Sequence, residues 1–500
     1  APHRADIDGL RAVAVLGVLA YHFGLGVPGG YGGVDVFFVI SGFLIAGIIK
    51  AELEAGTFSL ADFYVRRIRR ILPALAVCLS VTTVVASVIL FPFDFRSYGQ
   101  SLTAVSIATS NIFFAHKTGN YFDASATASP LLHTWSLSIE EQFYLVFPLA
   151  AMLLFRARRA LILPTMMILA SLSLAYSVHA VARTPGMAFF STPGRVWELL
   201  FGTILAFAAF SSVRNRVVRE AEAFAGIGLI AGCYFAYSAM TPFPGLAAVP
   251  LCLGAVLFIH SGIEGSRERA PEATAVARFL STRPAVAIGK ISYSVYLWHW
   301  PLLVFVQYRF ESVMDGADTH TVLALRSLLA AISIGLGALS WRFVEQPFRK
   351  RAAAHGPWPT FAAGMATFAV VIGCSQLVSL RTNWLQGWSP EVAGLAKAER
   401  RPDRPSAFGP RAPVDQGWPA DSYFVGSGSG NVDTLVWGDS HAMAILPGLR
   451  DYLERTGQRI VVAAHSGCPP LINVSFHGNH FEDRCKPAND KVFAAISNPA

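Results

Sequence analysis

Eleven apolar runs punctuated by short basic clusters constrain this chain more than any other feature, because a bilayer span needs about 20 mostly apolar residues, fewer where polar groups face a bundle interior. The runs are Leu10 to Phe23, Val34 to Ile49, Ile71 to Phe91, Leu137 to Phe155, Leu161 to Val181 and Val196 to Phe210. They continue with Ala223 to Met240, Leu246 to Ile259, Ile291 to Gln307, Thr321 to Leu339 and Phe361 to Leu380. Composition agrees: 53% of residues are hydrophobic and 14% charged, where soluble domains carry roughly a quarter charged. The expectation is a polytopic helical membrane protein whose first span is retained, since no small-residue cleavage site follows it.

The net charge of +8 does not point to nucleic acid, because the basic residues sit between apolar runs and form no single patch. Arg66, Arg67, Arg69 and Arg70, then Arg156, Arg158 and Arg159, then Arg214, Arg216 and Arg219 fall on one side of the alternating spans. Arg267, Arg269, Arg278, Arg283 and Lys290, followed by Arg342, Arg349, Lys350 and Arg351, fall on that same side. Excess Lys and Arg mark cytoplasmic loops, so the N-terminus is expected in the cytoplasm and everything after Leu380 outside it. Ser101 to Ala115 is moderately apolar; counted as a span it would invert every later loop, so it is expected as a re-entrant or amphipathic piece of an outer loop.

Ionisable residues inside spans are costly and mark function by default. Arg11 and His22 are eleven positions apart, about three helical turns plus some 20°, so they share a face and lie about 16 Å apart along the axis. Asp35, Glu140, Glu141 and mid-depth His299 are expected in the same layer as His22, against the plainer reading of a histidine satisfied by a neighbouring helix. Arg195 and Glu198, three apart, have the simple reading of pairing with each other. Trp135 reads equally as an interfacial anchor or a site residue. Arg66, Arg67, Arg69 and Arg70 present guanidinium groups suited to gripping phosphates, or else only set topology.

Residues 381–432, rich in Pro, Gly, Arg and Trp, read as a linker, with a plain loop at Gly426 to Gly430. Beyond it, Thr434 to Trp437 and Arg459 to Ala464 read as strands around an amphipathic helix from Ala442 to Arg455, a parallel βαβ unit. That places Ser440 of Gly438-Asp439-Ser440-His441 at the end of a strand and the start of a helix, where backbone N–H groups favour a developing oxyanion. An ordinary N-cap serine is the competing reading. Cys468 and Cys485 lie outside the apolar runs and are expected as a disulfide.

These residues resemble a known family. Asp8-Gly9-Leu10-Arg11 followed by His22 is similar to the Arg-X10-His signature of the acyltransferase 3 family, and Gly33 to Phe38 with Ser41 to Leu44 resembles its second motif. Arg67 to Pro73, Trp135 to Tyr144, Ser292 to His299 (through Tyr296) and Glu345 to Phe348 resemble four more, in order, across about the first 350 residues. Gly438 to His441 resembles block I of SGNH hydrolases, and Asn489 is a candidate for the block asparagine. The resemblance implies an α-helical bundle of ten core helices (1–350), one further helix (351–380), the linker, and an α/β SGNH-like domain from 433 to 500. It implies an O-acyltransferase of the bacterial inner membrane, with acetyl-CoA or a related thioester as cytosolic donor, a surface-glycan hydroxyl as acceptor, and no metal. Lipopolysaccharide O-antigen is the first acceptor class to consider, peptidoglycan or exopolysaccharide the alternative, and a polytopic transporter the reading from another class. His22, Arg11, Asp35, Glu140 and Ser440 are then the catalytic candidates, with Trp135, Glu141, Tyr296 and His299 as supporting motif positions. No Asp-X-X-His motif follows Ser440, so the expectation is either that the sequence stops within this domain or that the domain as written lacks that part of an SGNH site, with the first favoured because 490–500 ends in mid-fold.

Overall fold

The computed structural model describes residues 4–117, 121–122, 124–208, 215–263, 273–315, 318–350, 357–380, 422–427, 432, 434–464, 470 and 482–497. The chain divides into two compact units, Ala1–Trp388 and Ser389–Ala500.

The first unit is helical. Its principal helices are α1 (Ala5–His22), α2 (Gly33–Glu54), α3 (Leu60–Ile89), α4 (Pro92–Ser106), α5 (Ser110–Lys117), α6 (Thr134–Arg158) and α7 (Ile162–Arg183). They are followed by α8 (Thr192–Phe207), α9 (Arg216–Ala236), α10 (Ala248–Ser261), α11 (Arg283–Asp315), α12 (Thr319–Ser340) and α13 (Pro357–Leu380). Starts are set by short polar residues that accept from free N–H groups: Ser59 caps α3 by accepting from Asp62 N, and Asp318 caps α12 by accepting from His320 N and Thr321 N. Every apolar run expected to span overlaps one of these helices. Among the described residues, the stretches Gly30–Glu54, Leu60–Ile89, Thr134–Arg183 and Thr319–Arg349 are long and apolar enough to cross a membrane by length and composition. α1 is not one of them because it carries Asp6, Asp8 and Arg11, and those polar residues are buried or half-buried within the bundle.

The unit is arranged with polar groups inside and apolar groups outside. Val84 and Val88 of α3, Leu145, Val146 and Leu153 of α6, and Ile168, Leu169 and Leu172 of α7 are all more than a third exposed. Arg195, Glu198, Asp35, Ser292, Ser294 and His299 are fully buried. Such an outer surface suits lipid, and the chain is a multi-pass membrane protein. The Ser101 to Ala115 stretch forms the end of α4 and most of α5, which pack on α13 and α6 respectively.

The second unit is a three-stranded sheet. β1 (Ser422–Gly426), β2 (Leu435–Gly438) and β3 (Arg459–Ala464) lie in the order β1-β3-β2, with α14 (Ser440–Thr456) between β2 and β3 and α15 (Glu482–Ser497) following. β2 pairs parallel with β3, Leu435 opposite Val461 through Gly438 opposite Ala464, which is the expected βαβ unit. β1 pairs antiparallel with β3, Ser422 opposite Ala463. Residues 422–426 of the stretch 381–432 form β1, so that stretch is not a linker throughout. Val425, Leu446, Leu453, Ile460 and Val462 form the small core between sheet and α14.

Candidate active site

Helices approach closely enough to build a site because glycine sits where they cross. A Cβ at Gly289 of α11 would collide with the backbone of Asp8 in α1. Gly42 of α2 and Gly202 of α8 do the same for each other's helix, since a Cβ at either would run into the carbonyl of Leu199 or Val39. Small residues at such crossings are the usual means by which membrane helices pack backbone to backbone.

The α1–α11 contact brings two histidines together. His22, the last residue of α1, has Nδ1 3.0 Å from Nε2 of His299, and its Nε2 lies 2.8 Å from the hydroxyl of Tyr121. Nδ1 of His299 lies 2.6 Å from the Tyr296 carbonyl. A carbonyl only accepts, so with both rings neutral every proton is assigned. His299 donates from Nδ1 to Tyr296 and accepts at Nε2 from His22, which leaves Nε2 of His22 as the lone-pair nitrogen receiving the Tyr121 O–H. Trp300 covers the His22 ring edge-on at 4.7 Å between centroids, and His133 flanks His299 at 5.8 Å.

Next to this pair is a cavity of about 90 Å³, lined among others by Arg11, Ser41, Arg67, Arg70, Glu140 and Glu141. Tyr144, Tyr293, Ser136 and Tyr296 also line it. Ser41 donates to Glu140 Oε1 at 2.7 Å, and Tyr144 donates to Oε2 at 3.4 Å. Arg11 lies 3.6 Å from Asp8. Tyr296 joins the two parts: its hydroxyl meets Ser136 Oγ at 2.7 Å at the cavity wall and donates to the His133 carbonyl, while its own carbonyl holds His299.

A third cluster is fully buried. Arg195 Nη1 lies 3.1 Å from Asp35 Oδ1 and 3.1 Å from Glu198 Oε1. Its guanidinium carbon sits 5.3 to 5.6 Å from the ring centres of Phe38, Trp135, Phe189 and Phe243. Phe189 in turn stacks on Tyr121 at 4.2 Å. Asp35, Glu198 and Cys252 have donor atoms within 4.8 Å of one another, but the guanidinium already supplies the positive charge a metal would bring.

Several expectations are corrected here. Asp35, Glu140 and Glu141, expected in one layer with His22, form no hydrogen bond with it among the described residues: Asp35 pairs with Arg195, and the two glutamates line the arginine cavity. His22 is oriented by a histidine and a tyrosine and not by Arg11, which lies 3.6 Å from Asp8. The arginine cluster divides, with Arg67 and Arg70 lining the cavity while Arg66 bonds Glu52 at 2.8 Å on the surface. Arg69 is not among the residues that line it. Trp135 is 1% exposed, so it is an interior ring and no interfacial anchor. Tyr121 carried no motif and was missed; only its proximity in space identifies it.

In the second unit, Ser440 opens α14 directly after β2, at the strand-to-helix junction. Asn489 Oδ1 accepts from Trp437 Nε1 at 3.0 Å, which places it beside β2. Cys485 is disulfide-bonded; Cys468, its expected partner, lies outside the described residues.

Buried imidazoles, an arginine-lined cavity and a serine at a strand-to-helix turn define a multi-pass membrane protein with a polar site inside its bundle and an α/β unit appended. The acyltransferase domain family matches residues 4–378, the SGNH domain fused to such domains matches 409–500, and the chain belongs to this acyltransferase 3 family. It is 31% identical over 411 residues to the peptidoglycan O-acetyltransferase OatA of Listeria monocytogenes, covering 76% of this chain and 64% of that one. It is 33% identical over 360 residues to the O-acetyltransferase OatA of Staphylococcus aureus, covering 69% of this chain and 57% of that one. The chain thus spans about three-fifths of the length of these relatives. No solved structure matches it.

Proposed function

We propose that the protein is a membrane O-acetyltransferase that takes an acetyl group from acetyl-CoA at the cytoplasmic face and delivers it to a peptidoglycan hydroxyl outside. The observation that carries this reading is the arrangement of His22 Nε2 on an O–H, in a histidine pair that Tyr296 links to a cavity bearing Arg11, Arg67 and Arg70. A lone-pair nitrogen facing a hydroxyl is the geometry of a general base, and paired guanidiniums suit phosphates.

In this reading the phosphates of the donor rest on Arg11 and Arg70, which line the cavity, and the pantetheine arm enters it. The Tyr121 hydroxyl attacks the thioester carbonyl and gives its proton to His22 Nε2. The C–S bond breaks, and the thiolate takes that proton as it leaves, so a thiol ester becomes an oxygen ester. On the outer side Ser440 Oγ then attacks that ester and its proton goes to the tyrosine oxygen that leaves, and a sugar hydroxyl attacks the seryl ester in turn and returns its proton to Ser440. The alternation of basic clusters supports a cytoplasmic N-terminus and an external C-terminal unit, in the inner membrane of a bacterium.

For the acceptor, lipopolysaccharide gives way to peptidoglycan because the Listeria relative is named for that substrate. Proteoliposomes given radiolabelled acetyl-CoA on the face that carries the N-terminus should release free CoA and label soluble muropeptides on the other face. His22→Ala should abolish both. Label appearing on O-antigen sugars but never on muropeptides would overturn the acceptor, and undiminished CoA release from His22→Ala would overturn the site.

A further inference from the structure

Beside the arginine cavity lies a second, apolar cavity of about 340 Å³, walled by α3, α6, the α4–α5 turn and α13. It shares Arg67, Ile71, Leu137, Glu141 and Tyr144 with the first. Its lining runs from Tyr64 to Leu75 on α3 and from Leu145 back to Thr134 on α6, eleven positions on each of two antiparallel helices. The Tyr64 hydroxyl donates to the Leu145 carbonyl at 2.8 Å and fixes that register. Eleven positions of helix rise about 16 Å, close to the depth of one leaflet, which is half of a core of about 30 Å.

The slot is polar at one end only. Tyr64, Arg67, Glu141 and Tyr144 mark that end, and Ile68, Leu72, Leu75, Val105 and Phe368 line the length. The hydroxyls at the far end are engaged elsewhere: Ser106 donates to Leu102, Thr134 to Leu131, and Ser138 meets Ser110. Arg67 forms no ion pair among the described residues, and its Nε is buried without a hydrogen-bond partner. A buried guanidinium in that condition calls for an anion.

We propose that this slot binds the hydrocarbon tail of an anionic membrane phospholipid, with the headgroup phosphate on Arg67. The length selects a chain lying along the membrane normal, and the unpaired cation at the mouth selects a negative head over a zwitterionic one. The bound tail closes the apolar flank of the arginine cavity where α13 leans on α3. This inference does not rest on the acetyl-transfer reading, and its test reads binding alone.

The test is native mass spectrometry of the full chain released from nanodiscs containing equal phosphatidylglycerol and phosphatidylcholine. The wild type should retain one phosphatidylglycerol, at least tenfold over phosphatidylcholine. Leu72→Trp, which fills the slot, should lower retention at least tenfold, whereas Ile168→Trp, on the lipid-facing side of α7, should not. Arg67→Gln should keep a lipid but lose the headgroup preference. Leu75→Ala enlarges the slot and should retain the lipid, which covers the case where the tryptophan variant fails to fold. Equal retention of both lipids by wild type, or loss from Leu75→Ala, would overturn the proposal. So would displacement of the lipid by equimolar palmitoyl-CoA, which would assign the slot to a donor acyl chain.

Discussion

At the scale of single residues, the proton assignment around His22 gives the sharpest expectations. Tyr121→Phe removes the O–H on Nε2 and keeps the ring stacked on Phe189; acetyl-CoA turnover should fall by about 10²- to 10⁴-fold, the usual range for a lost acid–base partner, with little change in thermal midpoint. Arg195→Met leaves two carboxylates facing each other inside the bundle. Removing one member of a buried ionic cluster costs about 3–5 kcal/mol, so its unfolding midpoint in detergent should drop well below that of Tyr121→Phe. Asp318, at the exposed start of α12, accepts from the Thr321 hydroxyl and from the backbone N–H groups of Thr321 and His320, and these bonds hold its pKa below the ordinary value of 3.8. A lowered folded-state pKa means its contribution is present above the unfolded value and fades as pH falls through the folded one. Hydrogen exchange at the first turn of α12 should therefore accelerate below about pH 4, and Asp318→Ala should show that fast exchange at every pH. The sequence displayed His22 and His299 because titratable groups stand out in apolar runs. It hid the role of Arg195, whose neighbour Glu198 offered a complete local partner while Asp35 waited on another helix. Tyr121 was invisible for the opposite reason, being one aromatic in a loop with no pattern around it.

At the scale of elements, the misplacement of Glu140 and Glu141 has a simple origin. The apolar run begins at Leu137, but α6 begins at Thr134, so the two glutamates lie about two turns into the helix and face the arginines. Hydropathy marks the oily part of a helix, and the polar residues of its first turn are lost to it. The same blindness concealed β1, a short strand with turn-rich sequence before it, whose pairing partner lies beyond the next strand. Two substitutions probe the elements directly. Gly289→Leu should separate α1 from α11 and cost transfer activity through the His22–His299 contact, without touching either ring. Ala108, between α4 and α5, has φ of 54°, a left-handed conformation that disfavours any side chain. Ala108→Gly should therefore stabilise by about 1 kcal/mol, visible as a higher midpoint in detergent.

At the scale of the whole molecule, the chain divides into a helical unit with a lipid-suited surface, Ala1–Trp388, and a second unit, Ser389–Ala500, and the apolar runs of the sequence end near that division. The proposed topology makes Thr319 and Asp318 external and Asn215 cytoplasmic. Single cysteines at 318 and 215, in a background without reactive thiols, should label with a membrane-impermeant maleimide from opposite faces of sealed vesicles. Ser440→Ala should leave CoA release from the bundle intact while the external glycan stays unlabelled; simultaneous loss of both would mean that the serine does not act after the membrane step.

One consequence follows from the backbone oxygen of Tyr296. Because the imidazole series ends on an atom with no hydrogen to yield, no proton enters from that end to replace one leaving through His22, and the series conducts in neither direction. On the proposed function, a proton taken up at His22 Nε2 leaves again through that same nitrogen. The bundle can then host acid–base chemistry at mid-depth without short-circuiting the membrane, and vesicles carrying the protein should hold a pH gradient as tightly during turnover as at rest.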